Sequence, residues 1–201
     1  MPRETMTAIM EAAIAAPSWA NTQPWEFLVL GGEVLEKVKA SMTEKAKARE
    51  KPNSDIPSPS FEGPYLERMR STGQGLFQAL GIAREDREAR QDWTLGMARF
   101  FDAPNAVIVC LDASLGQWSL LDVGLALENL MLAAWHFGIG TCVEAAAAQY
   151  PEVLRGILKI PASKRIVVGV ALGYPDLSKP IMKFHARREP LASLVTWHGF
   201  D

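Results

Sequence analysis

The stretch from Val123 to Thr141 is the most apolar part of the sequence and places the strongest constraint on the fold. Glu128, Asn129 and His136 interrupt the apolar run. Ionisable and polar side chains inside such a run are costly in a lipid bilayer, which argues against a membrane span. The sequence therefore predicts a central helix over residues 119–137 that is buried among the other elements of a globular domain.

Short apolar runs rich in β-branched residues predict the strands of a sheet. They cover Phe27–Leu30, Ala106–Leu111 and Ile166–Leu172. Between them, apolar residues recur at helical spacing, for example from Tyr65 to Leu80. Helices in runs with strands between them favour an α+β fold over a strictly alternating parallel sheet. With no internal repeat and no visible domain boundary, we expect a single domain over residues 1–201.

Two segments lack periodicity. Residues 51–64 contain four prolines and little apolar material, so we expect a long loop. Loops of this length in a compact domain are usually lids, binding loops or mobile excursions. Residues 179–201 have so little pattern that they would be stable only when docked on another surface.

Charge and cysteine usage narrow the class of protein. A net charge of −2 and a pI near 6.0 argue against a nucleic-acid partner, which needs a basic face. Cys110 and Cys142 lie in apolar runs without metal-ligand spacing, which favours reduced, buried thiols in a cytoplasmic protein. The first residues show no signal-peptide pattern, and we expect no membrane partner.

No arrangement of side chains indicates acid–base, nucleophilic or metal chemistry. The three histidines are far apart, and the HExxH, CxxC, GxSxG and Walker motifs are absent from the sequence. We therefore expect no metal site and no catalytic side chain. Either a bound cofactor carries the chemistry or the chain is not an enzyme.

The run PSWANTQPW, from Pro17 to Trp25, admits two interpretations. It can be a helix exit and a proline-stiffened turn, with its two tryptophans anchored in the core. Alternatively, Ser18, Asn21 and Gln23 offer converging donors and acceptors to a planar polar ring.

The longer run EAAIAAPSWANTQPW resembles the flavin-contacting motif of FMN-dependent nitroreductases, in which a helix ends in Pro-Ser and is followed by two variable residues and N-[ST]-QPW. Three further matches follow in the family's order: LLDVGLALENLMLAAWHFGIGTC with its central helix and turn, VGVALGYPD with its penultimate strand, and RREPLASLVTWHG with its C-terminal arm. The stretch PYLERMRSTGQGLFQALGIAREDREAR looks like the subgroup that acts on nitrobenzoate-type and other nitroaromatic compounds.

This resemblance implies the nitroreductase fold, with a central mixed or antiparallel sheet flanked by helices. It also implies an intertwined homodimer in which the arm, residues 179–201, docks on the partner subunit. FMN would lie at the dimer interface. The residues that the motifs assign to it are Pro17, Ser18 and Asn21 at the isoalloxazine or ribityl, Ala145 and Ala146 through backbone amides at flavin N5, and Arg187 and Arg188 at the phosphate.

The implied activity is a ping-pong reaction in which NAD(P)H passes a hydride to flavin N5 and departs. A nitroaromatic, quinone or similar small-molecule acceptor then takes its place and is reduced. Two alternatives stay open. The chain can be an enzyme of the same fold that degrades flavin or removes halogen, or a flavin-binding dimer without turnover. For residues 144–148, an ordinary helix start is a second interpretation, because alanine is the best helix former. It is compatible with a flavin contact made through the backbone.

Some residues depart from the family's pattern. The family opens with an R-[RS]-S-x-R segment that contacts phosphate, and this sequence begins past it, so we expect weak FMN retention, to the point of isolation as the apoprotein. Trp19 stands where many members carry a small residue, and Glu128 stands where glutamine is frequent. Arg68 and Arg70 either meet substrate or cofactor charges or lie on a solvated helix face.

Overall fold

The computed structural model describes residues 1–200, which contain six α-helices and four β-strands. The helices are α1 Arg3–Ile14, α2 Gly32–Lys47, α3 Gly63–Ala79, α4 Arg87–Ala98, α5 Gln117–His136 and α6 Pro151–Leu158. The strands are β1 Trp25–Gly31, β2 Asn105–Asp112, β3 Gly140–Glu144 and β4 Lys164–Gly173. Short 3-10 turns cover Trp19–Asn21, Phe100–Asp102, Ala145–Ala148, Pro180–Lys183 and Leu191–Ser193. The prediction of an α+β protein is confirmed.

The four strands form one sheet in the order β1-β2-β4-β3, and each neighbouring pair is antiparallel. Val109 of β2 pairs with Phe27 of β1 on one side and with Val168 of β4 on the other. The connection from β2 to β4 contains α5, β3 and α6. β1 and β3 are therefore the edge strands of the sheet in this chain.

The central strand β2 is buried on both faces of the sheet. Val107, Val109 and Leu111 pack in one cluster with α1 and α5. Ile108 and Cys110 belong to the opposite cluster, with α2 and α6. A strand covered on both faces has a continuous apolar sequence, as residues 106–111 do. Because α1 and α5 share a face, the chain that leaves α1 runs close to α5.

Two elements escaped prediction because they are short. β3 has five residues and α6 has eight, which is too few for a period of two or of 3.6 to emerge. The prediction of a buried thiol is confirmed for Cys110 and wrong for Cys142, which lies exposed on β3. Both cysteines are free.

By internal contacts the chain divides into two compact units. Unit 1 consists of Met1–Ser58 and Gln91–Pro175, and it contains the sheet. Unit 2 consists of Pro59–Arg90 and Asp176–Asp201. Within unit 2, Arg68 of α3 donates to Glu189 across 3.1 Å, and a Cβ on Gly75 would lie 3.1 Å from the Phe184 ring. These contacts join α3 to the C-terminal segment.

The chain between α2 and α3 has no helix or strand, and its first part is fixed to unit 1. The Asp55 carboxylate accepts hydrogen bonds from the Arg155 guanidinium at 2.7 and 3.2 Å. It also accepts the Ile166 N–H at 2.7 Å. Charge-assisted, bidentate pairs are among the strong hydrogen bonds of proteins. Asp55 therefore fixes this stretch to α6 and to β4.

Candidate functional site

The segment from Pro17 to Pro24, here called the polar loop, joins α1 to β1 in a strained conformation. Ala20, Asn21 and Gln23 have φ of 50°, 57° and 46°, in the left-handed region. Outside glycine this region costs about 1–2 kcal/mol per residue. Such outliers persist only where the surrounding structure fixes them, and they cluster at functional sites. The geometry of this loop is thus a feature to be explained by function rather than by turn chemistry alone.

The hydrogen bonds of the polar loop explain how its shape is held. The Ser18 hydroxyl accepts the Gln23 N–H at 2.9 Å, and the Ser18 carbonyl accepts the Asn21 N–H at 3.0 Å. The Gln23 side-chain amide donates to the Asn21 carbonyl at 3.3 Å. Within residues 1–200, the exposed Asn21 carboxamide makes no hydrogen bond of its own. Ser18 thus shapes the loop, while Asn21 offers a free donor and acceptor.

The two tryptophans of this region have different roles. Trp25 is buried in the core, as the turn interpretation expects. Trp19 is 67% exposed and packs edge-to-face against Trp118 of α5, with ring centroids 5.9 Å apart. Its backbone N–H donates to the Asp122 carboxylate of α5 at 3.2 Å. Sequence reasoning missed Asp122, because nothing in the pattern connects it to a loop 103 residues away.

Ala145 and Ala146 begin the 3-10 turn that follows β3. The first N–H groups of a helical turn have no partner within it, and this holds for those of Ala145 and Ala146. The turn packs closely on β4, since a Cβ on Gly169 would lie 2.4 Å from the Ala147 Cβ. Instead of the helix that alanine propensity favours, the chain makes a single turn of four residues, held against the sheet.

Glu144, directly before this turn, is the most unusual ionisable group among the described residues. It is 5% exposed, and neither carboxyl oxygen has a hydrogen-bond partner in residues 1–200. Burial raises the pKa of Glu144 to about 8, so the carboxyl is largely neutral at pH 7. Its register partner on β4 is Gly169. From the sequence, Glu144 lies in the segment matched to the flavin N5 contact and is alternatively part of a helix start; its burial without a partner was not predicted.

Arg187 and Arg188 lie exposed in unit 2, near the end of the chain. Arg188 donates one hydrogen bond, to the Ala186 carbonyl at 2.9 Å. Neither arginine has a carboxylate within ion-pair distance in the described part of the chain, whereas Arg68 is paired with Glu189. Both guanidinium groups therefore have donors left for an external anion.

The described residues contain neither a metal-binding cluster nor a membrane-spanning helix. They hold no cluster of three or more histidine, cysteine, aspartate or glutamate side chains that could bind a metal ion. None of their helices is long and apolar enough to cross a membrane.

We predict that Glu144→Gln removes a pH dependence of stability. Between pH 4.5 and 8 the buried carboxyl is protonated in the folded protein and ionised in the unfolded chain, so unfolding releases a proton. Stability of the wild type falls as pH rises through this window, by up to about 1.4 kcal/mol per pH unit from this group. The glutamine side chain of the variant stays neutral, so the variant gains stability relative to the wild type as the pH rises.

Urea unfolding of both proteins at pH 5, 6, 7 and 8, at one protein concentration, measures this difference. Other titrating groups cancel because the two proteins share them. Parallel profiles for the two proteins would show that Glu144 is ionised or hydrated in the native state.

Comparison with known proteins gives relatives along nearly the whole chain. A 4-nitrobenzoate reductase from Nocardioides sp. is 33% identical over 98% of this chain and 82% of its own. A nitrobenzene nitroreductase from Ectopseudomonas oleovorans is 34% identical over 96% of this chain and 87% of its own. Among solved structures, the FMN-dependent nitroreductase NfnB from Mycobacterium smegmatis in complex with NADPH is 28% identical. It has a TM-score of 0.93, over 98% of this chain and 89% of that one.

The family match covers most of the chain. The model of the nitroreductase family matches residues 1–174, which include the sheet, α5, the polar loop and the turn after β3. The chain belongs to the nitroreductase family.

Proposed function

We propose that this protein is an FMN-dependent NAD(P)H oxidoreductase of the cytoplasm that reduces nitroaromatic compounds, quinones or similar small acceptors. The observation that carries the proposal is the similarity to relatives that are reductases of 4-nitrobenzoate and nitrobenzene, along almost the full chain. The NADPH complex from Mycobacterium smegmatis, whose fold this chain shares, supports a nicotinamide as the electron donor.

The donors and acceptors of the chain fit FMN. A flavin ring has amide-like edges, and the free Asn21 carboxamide can both donate to and accept from such an edge. Pro17 and Ser18 stand beside it in the polar loop. The N–H groups of Ala145 and Ala146, which have no partner within their turn, suit the ring nitrogen N5. In unit 2, Arg187 and Arg188 have unpaired donors suited to a phosphate. We assign these seven residues to the cofactor.

When bound, the flavin supplies the chemistry of taking a hydride from a nicotinamide and passing electrons to the acceptor. The protein's own part is orientation and electrostatics. Asn21 fixes the ring through its polar edge, and the N–H groups at Ala145 and Ala146 favour negative charge beside N5. The Arg188 guanidinium neutralises the phosphate. No side chain of this chain needs to act as a nucleophile or a general base for hydride transfer.

We further propose a homodimer, because unit 1 leaves a regular apolar stripe exposed along α5. Its members lie three, four or seven residues apart, the spacing of one helix face: Trp118, Leu121, Leu125, Leu132 and Trp135. Each is at least 41% exposed, and Glu128 interrupts the row. Monomeric proteins rarely expose contiguous apolar patches of this kind. The stripe has the spacing of a helix that packs against another helix, which suits a second copy of α5.

The C-terminal arm, residues 179–201, supports the same assembly. Leu191, Leu194, Trp197 and Phe200 are all largely exposed within unit 2. In unit 1, the backbone groups along the outer edge of β3 have no neighbouring strand among the described residues. The free edge offers backbone groups that another chain's backbone can pair with, and the arm carries apolar side chains that association would bury. We assign the arm to the partner subunit's surface.

The proposed activity is tested on the purified protein with added FMN. We expect added FMN to bind, measured at equilibrium as quenching of flavin fluorescence, and NADPH or NADH oxidation that depends on added FMN and on 4-nitrobenzoate. Absence of bound flavin after FMN addition would refute the cofactor assignment. Bound flavin without loss of the nitro group in the presence of NAD(P)H would refute the activity.

Arg188→Ala should weaken FMN binding by about tenfold to a hundredfold, because a charge-assisted hydrogen bond to an anion contributes roughly 1.5–3 kcal/mol. Riboflavin, which lacks the phosphate, should bind the variant as it binds the wild type. Quenching of flavin fluorescence gives both dissociation constants. The control is Arg84→Ala, another exposed arginine of unit 2. An equal loss of FMN and riboflavin binding would contradict a phosphate role.

Leu132→Glu should dissociate the dimer, because it places a charge in the middle of the apolar stripe on a residue that is 60% exposed in the single chain. Light scattering after size exclusion should show a dimer for the wild type and a monomer for the variant at micromolar concentration. Val34→Glu, on the exposed side of α2, is the matched control and should stay dimeric. A monomeric wild type, or a dimeric Leu132→Glu, would contradict the proposed interface.

A further inference from the structure

We infer that Asp122 is a positioning residue for the cofactor: through the Trp19 N–H it holds the polar loop in the shape that presents Asn21. The inference rests on the proposed function, since it assigns a role to the loop that we propose contacts FMN. It concerns a carboxylate on α5 that the family motif in the loop does not contain.

The internal hydrogen bonds of the polar loop do not attach it to the rest of unit 1. The hydrogen bonds made by Ser18, Asn21 and Gln23 join residues of the loop to one another. So does the bond from the Thr22 N–H to the Trp19 carbonyl, at 3.1 Å. They close the turn but leave its direction undefined. Buried Pro24 anchors the far end of the loop, and the restraint on its start comes from another element.

The bond from Trp19 to Asp122 provides this restraint. It spans 103 residues and joins the start of the 3-10 turn to the second turn of α5. Asp122 is 5% exposed, so its carboxylate is shielded from competing water. Hydrogen bonds to a charged acceptor are stronger than neutral ones, and a buried acceptor left without its donor is costly.

The contact between Trp19 and Trp118 lies beside this bond and also connects the loop to α5. Both rings are more than 60% exposed, so little burial holds them together. The hydrogen bond is therefore the directional part of the attachment. It fixes the residue directly before the left-handed pair Ala20 and Asn21, whose conformation is the costly one.

The test compares Asp122→Leu, which removes the acceptor at similar volume, with Asp122→Asn, which keeps a side-chain oxygen for the Trp19 N–H. We expect Asp122→Leu to raise the dissociation constant for FMN at least tenfold, and Asp122→Asn to stay within about threefold of the wild type. Ser119→Ala is the matched control, one turn earlier on α5 and similarly buried, and should bind FMN like the wild type.

A second readout needs no flavin. Chymotrypsin cleaves after exposed aromatic residues, so the rate of cut after Trp19 in the apoprotein reports loop mobility. We expect Asp122→Leu to raise that rate severalfold, with Asp122→Asn and Ser119→Ala unchanged and the cut after Trp118 unaffected. If the wild type fails to bind FMN, the proposed function fails, while the cleavage rates still decide the role of Asp122.

A further pair of variants keeps the test valid if Asp122→Leu does not fold. Trp19→Ala and Trp19→Pro both lose the ring, but only proline also loses the N–H. Ser18 has φ −141° and ψ 159°, the extended conformation preferred before proline, so the substitution suits the backbone. We expect Trp19→Pro to bind FMN at least tenfold more weakly than Trp19→Ala. Equal affinities of this pair, or wild-type affinity and cleavage in Asp122→Leu, would overturn the inference.

Discussion

The burial of β2 on both faces is the constraint on which the rest of the structure depends. A strand with apolar side chains on both sides needs helices above and below the sheet. Val109 meets α1 and α5, and Ile108 meets α2 and α6. Because α1 and α5 must share one face, the chain that leaves α1 emerges beside the first turns of α5. The contact of Trp19 with Asp122 follows from this arrangement and from no local propensity. The polar loop thus lies beside α5 because α1 and α5 pack on the same face of the sheet.

The same arrangement leaves apolar surface that one chain cannot cover. α5 packs Leu130 and Ala134 against the sheet and turns Leu125, Leu132 and Trp135 outward. A helix that is apolar on almost every side is normally buried on every side, and one chain does not achieve this for α5. This explains why the sequence of α5 predicts a buried helix while one whole side of it is exposed in the single chain. The homodimer that we propose reconciles the two observations, because a second copy of α5 would cover the exposed side.

The sequence was informative where a pattern repeats over many residues and uninformative where a contact spans the chain. The continuous apolar run of β2 and the length of α5 were predictable, because burial dictates composition over a whole element. The role of Asn21 came from the motif, and the structure adds that its carboxamide is free while Ser18 serves the turn. Asp122 was not predictable, since a single aspartate in an apolar helix carries no sign of its distant partner. Glu144 was hidden for another reason: only the fold shows that no donor faces its carboxyl within the described chain.

Two features of unit 1 oppose stability and lie in segments that we propose to contact the flavin. The left-handed conformation of Ala20 and Asn21 raises the energy of the folded state, and so does a buried carboxyl without a partner at Glu144. A chain selected for stability alone would place glycine in the loop and an apolar residue at the end of β3. Both destabilising features have a functional explanation if these positions face a polar ring. The loop conformation directs an amide outward, and a neutral acid keeps negative charge away from the segment whose N–H groups are proposed to favour charge on N5. An ionised Glu144 would oppose that electrostatic effect.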